Sequence, residues 1–168
     1  SGKSSVSSTS KDFNKGTEAL AITFLETPGK EAYEQSSFIL GINLNNKGSQ
    51  DITDAILSIN TEDEYLSLTR ENWRSDLRTG IEHLGNNKIR FNLEGKNIYN
   101  PLGEQGILYL TPETKTIQES SYETTIGVTS CYLYKTESVP TVCIDPEIAI
   151  ANTRIKEKSC IPKEISLD

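Results

Sequence analysis

Between Ala19 and Tyr134 apolar and polar residues alternate with period two over most of the chain, the spacing of strands that turn one face to a core and the other to solvent. Leu20, Ile22 and Phe24 alternate with Ala19, Ala21 and Thr23. The clearest run sets Phe38, Leu40, Ile42 and Leu44 against Ile39, Gly41, Asn43 and Asn45, and it stops at Asn46-Lys47-Gly48, residue types that accept turn conformations readily. Ala55, Leu57 and Ile59 then alternate with Ile56, Ser58 and Asn60 ahead of the acidic loop Glu62-Asp63-Glu64. Ile89, Phe91 and Leu93 form a further strand after a turn at Asn86-Asn87, and Ile107 to Leu110 another after a loop marked by Pro101 and Gly103. Tyr122 to Tyr134 reads as one long β-prone run, continued through Lys135-Thr136-Glu137-Ser138 into Val139 to Ile144 as a hairpin. One stretch departs from this period. Within Thr69 to Leu84, the apolar residues Trp73, Leu77, Ile81 and Leu84 recur at helical spacing, and Gly80 and Gly85 restrict them to a short helix or an irregular crossover.

Short strands with turns between them and little helix predict an all-β, antiparallel sandwich of about seven to eight strands. Its expected core contains Ile22, Phe24, Phe38, Leu40, Ile42, Leu57, Ile59, Phe91 and Leu93. The first 16 residues, Ser1 to Gly16, hold six serines and two isolated apolar residues, too little to offset the entropy of ordering them. They are expected to be a linker, with residues 17–168 the domain and its C-terminal tail. At 168 residues such a chain can bury about 70% of its surface, enough for a core without metals.

Charge narrows the partners. The chain carries 17 basic and 24 acidic residues, a net charge of −7, which disfavours nucleic acid and anionic lipid. No apolar run approaches the roughly 18 residues of a membrane span. Met is absent, position 1 included, as expected of a processed or excised fragment. Three cysteines, Cys131, Cys143 and Cys160, fall late in the chain, 12 and 17 residues apart, with no CxxC pair. That spacing is poor for zinc. It fits an oxidising compartment in which one bridge ties down the tail. A Cys143–Cys160 pair is expected, leaving Cys131 unbonded or available to a partner, while a cross-strand Cys131–Cys143 bridge and three reduced thiols are the alternatives.

Candidate chemistry is sparse. His83 is the single imidazole, and its neighbours form no nucleophile motif. Asp51 with Asp54, and Glu62-Asp63-Glu64, offer carboxylates to a hard cation but lack EF-hand spacing, so a solvated acidic loop is the simpler account. Neither a catalytic group, a cofactor nor a metal site is expected. Tyr132 and Tyr134, placed by the alternation on one strand face with Ile126 and Val128, are the candidate partner contacts, together with Cys131.

Several segments carry a resemblance. Tyr33-Glu34-Gln35-Ser36-Ser37-Phe38, followed by Leu44-Asn45-Asn46-Lys47-Gly48 and Asp51-Ile52, resembles the opening of CARDB-like immunoglobulin-type domains. Phe91-Asn92-Leu93-Glu94-Gly95-Lys96 with Pro101-Leu102-Gly103-Glu104, then Thr129 to Thr136 (TSCYLYKT) and Val142-Cys143-Ile144-Asp145-Pro146, is similar to uncharacterised secreted or lipid-anchored proteins of small-genome archaea. The likeness runs from about Thr17 to Leu167. This chain lacks the lipid-attachment cysteine of that pattern. The resemblance implies an immunoglobulin-like β-sandwich at the cell surface and transfers no catalytic residues. The resulting expectation is a non-enzymatic, extracellular structural or adhesion module whose partner is protein or glycan, self-association included. The alternatives are a carbohydrate-binding or hydrolytic domain using strand aromatics and acidic loops, and a filament subunit assembled by strand addition.

Overall fold

In the computed structural model, residues 18–25 and 31–137 are described. They fold as the expected antiparallel β-sandwich. The strands are β1 (Leu20–Phe24), β2 (Leu40–Asn46), β3 (Ile52–Asn60), β4 (Leu66–Ser67), β5 (Trp73–Ser75), β6 (Ile81–His83), β7 (Lys88–Leu93), β8 (Gln105–Leu110), β9 (Glu113–Thr114) and β10 (Gly127–Cys131). One sheet has the order β1-β2-β8-β5, the other β10-β3-β7-β6, and β4 pairs with β9 in a two-stranded ribbon. The chain divides into two compact units, Ser1–Tyr134 and Lys135–Asp168; the sandwich lies in the first.

Alternation builds the core as expected. Leu40, Ile42, Leu44, Leu108 and Leu110 of the first sheet meet Ile52, Ala55, Leu57, Ile59, Ile89, Phe91 and Leu93 of the second in one buried cluster. The central strands β2, β3, β7 and β8 supply all of these, and Trp73 of the edge strand β5 joins the same cluster. On the edge strand β1, Ile22 is half-buried and Phe24 is 49% exposed. Phe24 therefore leaves the expected core: it occupies the last paired position of an edge strand, opposite Ile42, where cover from the other sheet runs out. Phe38 packs on the cluster only partly.

The Thr69–Leu84 stretch holds only a short helix, within the expected short helix or irregular crossover, and two short strands beside it. A 3-10 turn, Arg70–Asn72, leads into β5, and after a turn the chain returns as β6. Trp73 and Leu77 are buried while Leu84 is exposed. The spacing of four that suggested a helix also keeps two residues on one face of extended chain. The long run Tyr122 to Tyr134 is strand only over Gly127–Cys131, so Tyr132 and Tyr134 lie beyond the strand. The hairpin partner Val139 to Ile144, the linker Ser1 to Gly16, and Cys143 and Cys160 lie outside the described residues.

Candidate functional site

Two features at opposite ends of the sandwich could contact a partner. The first is built on Asn46, the last residue of β2, which is fully buried. Its Nδ2 donates to the carbonyls of Gln50 at 2.9 Å and Leu93 at 3.2 Å, and its Oδ1 accepts from the Gly48 amide at 3.1 Å. The turn after β2 is thereby fastened to the end of β7. Two glycines close the joint. A Cβ on Gly95 would stand 2.7 Å from the Ser49 carbonyl carbon, and one on Gly103, at φ +77°, would stand 1.9 Å from the Asn46 carbonyl oxygen. Asp51 Oδ1 accepts from the Gly95 amide at 2.7 Å and Glu104 Oε2 from the Glu94 amide at 2.7 Å.

On this base stands the β7–β8 loop. Asn97 Oδ1 accepts from the amides of Tyr99 and Asn100, both at 2.8 Å, and Asn97 Nδ2 donates to Glu94 Oε1 at 2.8 Å. The Asn97 and Gly103 amides donate to the Asn100 carbonyl at 3.0 and 3.2 Å. A side chain that bonds the backbone two and three residues on holds a turn without help from the core. The loop so held turns large apolar groups outward: Ile98 is 63%, Tyr99 91% and Leu102 78% exposed. Leu133, also almost wholly exposed, follows β10 toward the same end.

The second feature is an open groove of about 1170 Å³ at the other end. Its base is the β4–β9 ribbon with the segment before β2. The Thr114 amide donates to the Ser36 carbonyl and the Lys115 amide to the Tyr65 carbonyl, both at 2.8 Å. Tyr33, Phe38, Tyr65, Tyr122, Ile117 and Ile126 line it, with Glu31, Glu34, Glu119, Glu123 and Lys115. The rings of Tyr65 and Tyr122 stack with centroids 3.8 Å apart. The Tyr122 hydroxyl donates to Glu62 Oε2 at 3.1 Å. Its hydrogen bonding with Tyr65, and then with Glu62, pushes the Tyr122 pKa up to about 12.

No protein family, curated protein or solved structure matches the chain.

Of the residues singled out in the sequence, Tyr132 is half-buried against the core, and its hydroxyl accepts from the Leu20 amide at 3.4 Å. Tyr134 sets its hydroxyl over Gly48, where a Cβ would clash with it, and meets Tyr132 edge to face at 6.2 Å. Both tyrosines thus brace the end of the sandwich that carries the apolar loop. Cys131 is an exposed, unbonded thiol at the end of β10. Asp51 and Asp54 part company. Asp51 bonds Gly95, whereas Asp54 sits at φ 53° in a bulge of β3, its amide bonded to Asn92 Oδ1 at 2.7 Å and its carboxylate 3.9 Å from Arg90. Among the described residues no three of His, Cys, Asp and Glu converge as a metal-holding group. His83 stands edge-on to Trp73 at 6.4 Å, and its Nδ1 is buried without a partner. Burial, and then Arg70, hold its pKa below the usual histidine value, with Glu71 opposing.

Sequence reading missed Ile98, Tyr99, Tyr33, Tyr65 and Tyr122. For the first two a signal existed: Ile98-Tyr99 is an apolar pair inside the turn-rich run Gly95-Lys96-Asn97 to Pro101-Leu102-Gly103, in register with no strand. The groove tyrosines lie too far apart along the chain for any local pattern to join them.

Proposed function

We propose that the chain is a non-enzymatic, extracellular immunoglobulin-like module that serves a cell-surface protein or assembly as a spacer and adhesion unit, with the β7–β8 loop as its protein contact. The observation that carries this reading is the pairing of rigidity and exposure in that loop. Ile98, Tyr99 and Leu102 are held out in solvent by a hydrogen-bonded turn anchored on Asn46 and Asn97. A loop whose backbone is already held in its turn loses less backbone freedom on association, so more of the burial of its apolar side chains is returned as affinity. An aromatic residue with aliphatic neighbours is the composition of an interface centre. The serine-rich Ser1 to Gly16, the late cysteines and the CARDB-like segments support the surface location. The engagement of His83 with Trp73 at a sheet edge supports the non-enzymatic part.

The test is to replace Tyr99 and Leu102 together by serine in cells that carry the protein. Both side chains are exposed, so the thermal midpoint should stay within a few degrees. The wild type should be reached by an impermeant label on intact cells, and the double variant should be released from the surface assembly. Retention equal to wild type, or a chain the label never reaches, contradicts the reading.

A further inference from the structure

We infer that the groove at the opposite end of the sandwich is a binding site for an extended basic peptide, an arginine- or lysine-bearing segment of a partner protein. The site is separate from the apolar loop and does not depend on it. Three observations converge. The lining places Glu31, Glu34, Glu119 and Glu123 around a single cation, Lys115, and Lys115 already donates its ammonium to the Asp63 carbonyl. Four carboxylates to one ammonium far exceeds the 24 to 17 of the whole chain. Among the described residues none of those four carboxylates is in an ion pair.

Aromatic faces stand among these charges. Tyr122 is stacked on Tyr65 on one side and 42% exposed overall, and its hydroxyl donates to Glu62, which leaves its ring rich in electrons. A guanidinium laid over such a ring gains from the quadrupole and can reach a carboxylate in the same plane. A sugar would use the tyrosine faces but gains little from a surplus of carboxylates.

The third observation concerns shape. The stretch 118–126 borders the groove without strand or helix, and among the described residues it takes part in no backbone–backbone hydrogen bond. An extended peptide can pair with it, as peptides pair with unpaired strand backbone. A groove of about 1170 Å³ holds several residues of such a peptide, so a lone ammonium ion would leave it largely unfilled.

The experiment uses the full chain and a fluorescein-labelled nonapeptide of alternating arginine and serine, read by fluorescence anisotropy at physiological salt. Saturable binding is expected. It should weaken about tenfold in Glu119→Gln/Glu123→Gln and by a similar factor in Tyr122→Ala, while Tyr99→Ser/Leu102→Ser binds as wild type. Asp54→Asn/Glu82→Gln removes the same charge from the outer face of the second sheet and should change binding less than twofold. Equal weakening by the two charge variants would show diffuse attraction to an acidic protein and overturn the site. So would absence of saturation, or binding of a neutral hexasaccharide in its place. Circular dichroism of each variant, expected to match wild type, separates lost binding from lost folding.

Discussion

Asn46 Nδ2 donates to the Leu93 carbonyl at 3.2 Å, joining the last residue of β2 in one sheet to the last residue of β7 in the other. Asn46 is a fully buried polar residue, and it satisfies the Gly48 amide and the Gln50 carbonyl besides. Asn46→Ala removes all three bonds and strands buried partners. An unsatisfied buried group costs about 1–3 kcal/mol, so urea unfolding should show a loss in that range. Asn46→Asp should not rescue it, since a carboxylate cannot donate to the two carbonyls.

Gly80 and Gly103 have nearly the same backbone, at φ +70° and +77°, in different surroundings. A Cβ on Gly80 meets nothing within 4 Å, whereas one on Gly103 meets the Asn46 carbonyl oxygen at 1.9 Å. Gly80→Ala should cost only the left-handed backbone term, about 1–2 kcal/mol. Gly103→Ala must also displace the joint beneath the apolar loop and should cost on the order of 3–5 kcal/mol. Equal midpoint shifts for the two variants would show that the joint yields freely.

The core divides by strand position. Ile42, wholly buried on a central strand, should lose about 2–5 kcal/mol on change to Ala, from transfer and cavity together. Phe24→Ala, at the open end of an edge strand and 49% exposed, should lose clearly less, about 1 kcal/mol. Chemical denaturation of the two variants side by side checks the order.

His83 is a pH probe. Its pKa is held below 6.5 by burial and by Arg70. The unfolded chain therefore binds the proton first, and the contribution of neutral His83 is intact above about pH 6.5 and declines as pH falls from there toward the folded pKa. Stability should fall between pH 7 and pH 5.5, and His83→Gln should flatten that slope. An NMR titration placing the His83 pKa above 6.5 would reverse the sign.

Much of the sandwich was legible because a covered strand must alternate, and the central strands do so without interruption. Edge positions were not. Phe24 has the alternation of a core residue, but its burial depends on a neighbour that local sequence cannot supply. Trp73 and Leu77, four apart, satisfy a helix and an extended chain alike, and the short β5 and β6 follow from Gly80 and the turn before it. Asn46 continues the inward-facing series Leu40, Ile42 and Leu44, yet its polarity made it read as the first turn residue; it is both. The groove was the least legible part. Tyr33, Tyr65 and Tyr122 line one groove because the β4–β9 ribbon and the bridge from Ser37 to Glu113 bring three separate segments together.

The central claim is that the β7–β8 loop is a protein contact. A photoreactive benzophenone side chain in place of Tyr99, in the full chain on the cells that carry it, tests this most directly, with the same group at exposed Thr79 as the reference. Irradiation should give a discrete protein adduct from position 99, whether with a second copy or another surface protein, and none from position 79. No adduct at either position, or the same diffuse set at both, would contradict the account.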